Sequence, residues 1–165
     1  MTDAHFPAPF ARYEGVVRNE WIDSNGHMNL AYYIVLFDAA ADLLFDALGY
    51  GTEDRKATGH GPFAVETHTL YQNELFAGEQ VRVASQIIAT APKRLHVAYE
   101  MSRSAAGVPA AFQEVMYINV DLGQRRSAPF APEVQARITA AFATHAGLPR
   151  PPWIGRHVGI TARAR

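Results

Sequence analysis

The sequence predicts an α+β domain in which one long helix packs on one antiparallel sheet. Three observations carry this. Residues 30–48 repeat apolar side chains at three- and four-residue spacing, the period of one helix face. Four strand-like stretches follow between residues 63 and 122, joined by connections too short for parallel crossovers. A further strand-like stretch precedes the helix, and helix and sheet must then bury their apolar faces on each other.

Residues 1–12 carry two prolines and little pattern, which predicts an extended arm before the domain at 13–146. Tyr13 to Ile22 reads as the first strand and ends at the polar turn Asp23-Ser24-Asn25-Gly26-His27-Met28-Asn29. The helix follows at once, with Leu30, Ile34, Phe37, Ala41, Leu44 and Leu48 along one face and Asp38, Asp42 and Asp46 along another. Asn29 suits its N-cap, and Gly49 or Gly51 its end. Residues 49–61 are rich in Gly and charge and read as a loop. Strands are expected at Phe63 to Leu75, Glu79 to Ala91, Arg94 to Ser104 and Pro109 to Leu122. Pro132 to His145 reads as a second helix, with Pro132 in its first turn and Val134, Ile138, Ala141 and Phe142 on one side. The stretch from Pro151 to Ile160 is too apolar for a free tail. The extension at 147–165 is therefore expected to pack on the domain or on a neighbouring subunit.

Composition narrows the function classes. The 165 residues fit one domain, and 48% hydrophobic against 19% charged residues marks a globular chain. A formal net charge of −1 gives no basic face for nucleic acid. The absence of cysteine removes disulfides, thiolate metal sites and a cysteine nucleophile together. The N-terminus has no charged segment leading into an apolar one, and the apolar helix is interrupted by three aspartates, so a cytoplasmic protein without membrane contact is expected. After Glu133 the chain carries Arg137, Arg150, Arg156, Arg163 and Arg165 and no acidic side chain. These read as a solvated tail, or as groups meeting an anionic ligand or a neighbouring subunit.

A strand, then Asp-x-Asn-Gly-His-Met-Asn, then a long apolar helix and a four-strand meander resembles the hot-dog fold. Within that fold the chain is similar to acyl-CoA thioesterases related to 4-hydroxybenzoyl-CoA thioesterase, over roughly residues 13–122. Trp21 to Asn29, followed by Tyr32 and Tyr33, is the most specific part. A second block, Glu66-Thr67-His68 with Tyr71, Glu74 and Gly78-Glu79, resembles the betainyl-CoA thioesterase branch linked to carnitine and betaine breakdown, as do Trp153-Ile154-Gly155-Arg156 and Gly159-Ile160. The resemblance implies a five-stranded antiparallel sheet wrapped around the helix. It also implies a homodimer or dimer of dimers joined edge to edge, with active sites between subunits that act on a small acyl-CoA. Coenzyme A enters only as part of the substrate, and no separate cofactor and no metal are implied.

Thioester hydrolysis needs a carboxylate that prepares water or attacks directly, donors for the oxyanion, and a groove for the acyl group. Asp23 matches the acidic position of the family, and the choice between general base and mixed anhydride stays open. As a plain turn residue Asp23 would simply cap. The amides of Gly26, His27 and Met28 fall at the helix start, where helical carbonyls do not satisfy them, and are candidate oxyanion donors. Asn25-Gly26 also predicts an ordinary tight turn without any ligand. The His27 ring is read as structural support first and as a base or orienter of Asp23 second. Asn29 is read as cap before substrate contact.

Glu66 and His68 fall on one strand face, with Thr67, Thr69 and Tyr71 on the other. A quaternary ammonium acyl group would need a carboxylate and aromatic faces, which nominates Glu66 with Trp21, Tyr32, Tyr33, Phe63 and Tyr71. Taken singly, each ring is more simply core. Lys93, Arg94 and Arg125, with Arg126, are candidates for the phosphates of coenzyme A, against a plain reading as solvated turn residues.

Three rivals differ in class. A metal hydrolase lacks ligand spacing beyond Asp23 and His27 four apart in a turn. A hot-dog enoyl-CoA hydratase would need Asp-x-Asn-Pro-x-His, whereas Gly26 replaces the proline and His27 arrives one residue early. A binding module that keeps the fold would bind acyl-CoA without releasing thiol.

Overall fold

The computed structural model describes residues 6–104 and 106–160. Element order is β1 (Phe10–Val16), a single 3-10 turn (Asn19–Trp21), α1 (Leu30–Ala47), α2 (Thr52–Thr58), β2 (His60–Tyr71), β3 (Gln80–Ala91), β4 (Arg94–Arg103), β5 (Pro109–Asp121), β6 (Arg126–Ser127) and α3 (Pro132–His145). The main sheet runs β1-β3-β4-β5-β2, all antiparallel, and the two-residue β6 pairs the end of β5. This is the five-strand path wrapped on a helix expected of a hot-dog fold, with β6 added. The sheet's inner face carries Val81, Val83, Val97, Tyr99 and Val115, which share one buried cluster with Phe37, Ala41 and Leu44 of α1.

Several boundaries move. The first strand begins at Phe10, inside the expected arm, because Phe10 is buried and pairs with Ser85. It also ends six residues early. Residues 19–21 turn to bury Trp21, and Ile22 forms only an isolated bridge with Met28. The expected loop at 49–61 contains α2, whose start is capped by the Asp54 carboxylate accepting the Gly51 N–H at 3.0 Å.

The buried face of α1 keeps Phe37, Ala41, Leu44 and Leu48 of the expected row but not its first two members. Tyr33, Leu36, Phe37, Ala40, Ala41, Leu44 and Phe45 are buried, whereas Leu30 is 62% and Ile34 38% exposed. Leu30 and Ile34 stand in the four-residue row that continues through Asp38 and Asp42, on the side away from the sheet. At the other end of α1, Arg137 donates from Nε to the Leu48 carbonyl at 2.7 Å and from Nη2 to that of Gly49 at 3.1 Å. A cation there complements the negative end of the helix, so Arg137 is a cap rather than a solvated tail residue.

The extension lies on the sheet's outer face. Trp153 stacks on Phe112 at 5.1 Å between centroids. The Gly155 N–H donates to Glu114 Oε2 at 2.7 Å, while Glu114 Oε1 meets His96 Nε2 at 2.8 Å. Residues 157–160 are exposed, Val158 and Ile160 included. Arg163 and Arg165 lie outside the described residues. Among the described helices none is long and apolar enough to cross a membrane.

Candidate active site

The turn before α1 folds as its residue types dictate. Asp23 Oδ1 accepts the Asn25 N–H at 2.8 Å, a side-chain turn typical of Asp, and Gly26 takes a left-handed φ of 84° that suits glycine. Asn29 caps α1, its side-chain oxygen accepting the Ala31 N–H at 3.0 Å. The plainer reading of Asn29 therefore describes its contact.

Asp23, His27 and Met28 line an open cavity of about 310 Å³ together with Leu30, Tyr33, Tyr71, Asn73 and Glu74. The opposite wall is the segment that leaves β2, and it is held to the turn through backbone. The Met28 N–H donates to the Leu75 carbonyl at 2.7 Å, and the Tyr33 hydroxyl donates to that of Asn73 at 3.2 Å. Tyr71 meets Tyr33 edge to face at 5.2 Å. Burial pushes both tyrosine hydroxyls above their ordinary pKa, so both stay protonated at neutral pH. His27 Nε2 stands 3.7 Å from Glu74 Oε1, and its Nδ1 is 3.3 Å from the Met28 carbonyl.

The three candidate oxyanion amides are not equivalent. The Gly26 N–H donates to the Asp23 carbonyl at 3.0 Å and the Met28 N–H is spent on Leu75, so both are occupied within the chain. Among the described hydrogen bonds, the N–H groups of His27 and of Leu30, the first residue of α1, have no partner. The helix start thus keeps free donors, one of them on a residue that the turn pattern did not nominate.

Trp21 and Tyr32 do not face this cavity. They stack on each other at 5.1 Å, with the Arg18 guanidinium over the indole, which is their structural reading. Glu66 is placed elsewhere as well. A bulge between Ala64 and Glu66 shifts the β2 register, and Glu66 pairs with Met116 and His68 with Glu114 on the outer face. Thr67, Thr69 and Tyr71 share the inner face with buried Val115, Gln113 and Ala111. A carboxylate in this strand needs no ligand, because it points to solvent. Glu74 occupies the cavity instead. In the sequence Glu74 falls inside the strand expected at Phe63 to Leu75, and only the end of β2 at Tyr71 frees it for the cavity.

Lys93, Arg94 and Arg125 are exposed and gather at the far end of the sheet. Arg94 and Phe63 both pair with Ile118, and the Arg125 guanidinium sits 6.0 Å from the Phe63 ring. Phe63 and Tyr71 are separated along β2 by roughly 25 Å at the rise of an extended strand. One chain therefore does not bring these cations to Asp23. Among the described residues, no three His, Asp or Glu side chains gather in a way that would hold a metal ion.

Comparison with known proteins agrees with this fold. The chain is 37% identical, over 90% of its length and 93% of the relative's, to the betainyl-CoA thioesterase of Pseudomonas aeruginosa. It is 32% identical to an L-carnitine dehydrogenase/betainyl-CoA thioesterase of Rhizobium meliloti, of which it spans 30% while 92% of its own length is matched. Among solved structures, a Staphylococcus aureus protein in complex with CoA superposes with a TM-score of 0.86 at 25% identity, covering 94% of this chain and 98% of that one. A putative thioesterase from Pseudomonas putida superposes with a TM-score of 0.80 at 30% identity, covering 94% and 99%. The family model of the thioesterase-like superfamily matches residues 17–138, and the chain belongs to that superfamily.

Proposed function

We propose that this thioesterase hydrolyses betainyl-CoA to betaine and coenzyme A, in the cytoplasm and as a homodimer. The observation that carries the reaction is the position of Asp23, on the wall of a cavity that also receives the start of α1. Its Oδ1 is held by Asn25, so the carboxylate is fixed relative to the helix start. Asp23 activates water, or attacks the thioester carbon to give a mixed anhydride that water then hydrolyses; the free N–H groups of His27 and Leu30 hold the oxyanion, and the carbon–sulfur bond breaks to release coenzyme A. The His27 ring is a support within this arrangement. The substrate follows the 37% identical relative, whose name specifies betainyl-CoA.

The dimer is supported by the free edge of the sheet. β2 is a twelve-residue edge strand carrying exposed Phe63, Val65 and Tyr71, and exposed Leu30, Ile34 and Val35 lie on α1. A long apolar edge is a template for strand pairing, and a twofold axis makes that pairing antiparallel. Pairing centred near Thr67 brings Phe63 of the partner subunit beside Tyr71. The partner's Arg125, Lys93 and Arg94 then reach the side of the cavity where coenzyme A phosphates need cations. In this reading the basic residues serve the site in trans.

The test is a thiol-release assay across acyl-CoAs. Betainyl-CoA should be cleaved faster than acetyl-, butyryl- and aromatic thioesters. Much faster cleavage of short neutral thioesters would remove betaine as substrate and leave the hydrolysis standing. Arg125→Ala should raise KM for every acyl-CoA alike, because it meets the part that all of them share.

A further inference from the structure

We infer that Glu74, together with the ring of Tyr71, determines specificity by receiving a cationic acyl group. The inference rests on the thioesterase reading of the Asp23 cavity and assigns the part of that cavity which recognises charge. The cavity receives two carboxylates, from Asp23 and Glu74, and neither lysine nor arginine among its lining residues. Glu74 is not consumed by a partner. His27 Nε2 is 3.7 Å away, and the Arg103 guanidinium contacts the Glu74 backbone carbonyl while its Nε pairs with Glu79 Oε1 at 3.2 Å. The Glu74 side chain is 62% exposed and Tyr71 is 45% exposed, so carboxylate and ring are both open to a ligand.

The segment carrying Glu74 is held at three consecutive carbonyls. Asn73 O accepts from the Tyr33 hydroxyl, Glu74 O from Arg103, and Leu75 O from the Met28 N–H. The Asn73 side chain donates to the Pro109 carbonyl at 2.7 Å as well. A carboxylate on so constrained a backbone is positioned before the ligand arrives, which lowers the ordering cost of binding. A quaternary ammonium has no N–H to donate, so it is held by a nearby negative charge and by the negative face of an aromatic ring. Glu74 and Tyr71 supply one of each on the wall facing Asp23. Glu66, on the outer face of the sheet, supplies neither to this cavity.

The experiment compares betainyl-CoA with 3,3-dimethylbutanoyl-CoA, the same shape with carbon in place of the charged nitrogen. Wild-type protein should prefer betainyl-CoA. Glu74→Gln should lower the ratio of kcat/KM for the two substrates by about tenfold or more, through KM, the size expected for losing one close cationic contact. Any loss on the neutral substrate should be the smaller of the two. Tyr71→Phe should keep the ratio and Tyr71→Leu should reduce it, because the face of the ring matters and its hydroxyl does not. An equal loss on both substrates in Glu74→Gln would overturn the inference and make Glu74 a support for His27. An unchanged ratio would overturn it outright. Should the wild type cleave neither thioester, the hydrolase reading falls by itself. Calorimetry with tetramethylammonium then decides Glu74 independently: weaker binding to Glu74→Gln supports the inference, and equal binding or none to either protein overturns it.

Discussion

The Met28 N–H donates to the Leu75 carbonyl at 2.7 Å, joining the turn that carries Asp23 to the segment that carries Glu74. Leu75 is fully buried beneath this joint. Leu75→Ala should lower unfolding stability by about 2–5 kcal/mol, the usual cost of emptying a leucine site in a core. Urea unfolding measures it, and a loss under about 0.5 kcal/mol would show that the site collapses freely.

Asp23→Asn tests the reaction separately from the fold. Asparagine keeps an oxygen to accept the Asn25 N–H, so the turn should survive. It has no negative charge to prepare water or attack carbon, and kcat should fall by about a hundredfold or more. Near-normal thiol release from a variant with wild-type circular dichroism would move the role to another group.

Asn29→Ala removes the acceptor for the Ala31 N–H at the start of α1. A stability loss of about 1 kcal/mol is expected, because one orphan amide returns to water. If Asn29 also contacted substrate, KM would rise in the same variant; the cap role expects an unchanged KM.

His145 links stability to pH. It is fully buried, its Nδ1 accepts the Ile87 N–H at 2.8 Å, and its Nε2–H donates to the Pro7 carbonyl at 2.7 Å. Burial pushes its pKa below the ordinary 6.5, so the unfolded chain takes up a proton there before the folded one does. This contribution to stability is complete above pH 6.5 and is lost as pH falls from that value towards the lowered one. Thermal unfolding of wild type and His145→Gln across pH 5 to 8 reads it. The gap between the two should narrow on acidification, and a constant gap would contradict the assignment.

The helix, the meander and the second helix were legible because each follows a local period, and the tight connections left little freedom in topology. The exposed start of the apolar row on α1 was not. Leu30 and Ile34 satisfy the apolar repeat, yet the residues buried beside them are Tyr33, Leu36 and Ala40. Which row a helix buries depends on what packs against it, and an exposed apolar row looks the same in sequence as a buried one. For the site, Asp23 and Asn29 were readable from turn and cap chemistry. Glu66 and Glu74 both stood near aromatic residues in the sequence, and only the register of β2, with its bulge, separates outer face from cavity. The spent amides of Gly26 and Met28 were hidden for the same reason, since one of their acceptors, Leu75, is remote in sequence.

The place of β1 in the sheet also governs the order in which the molecule can assemble. Phe10 faces Ser85 and Val16 faces Gln80, so β1 meets its one neighbour among the described strands after α1 and β2 have emerged. The Pro7 carbonyl waits longer still, until His145 closes α3. Contacts this far apart in sequence close late and slow the search for the native state. A nascent chain stopped before His145 would therefore leave the Pro7 carbonyl without its donor.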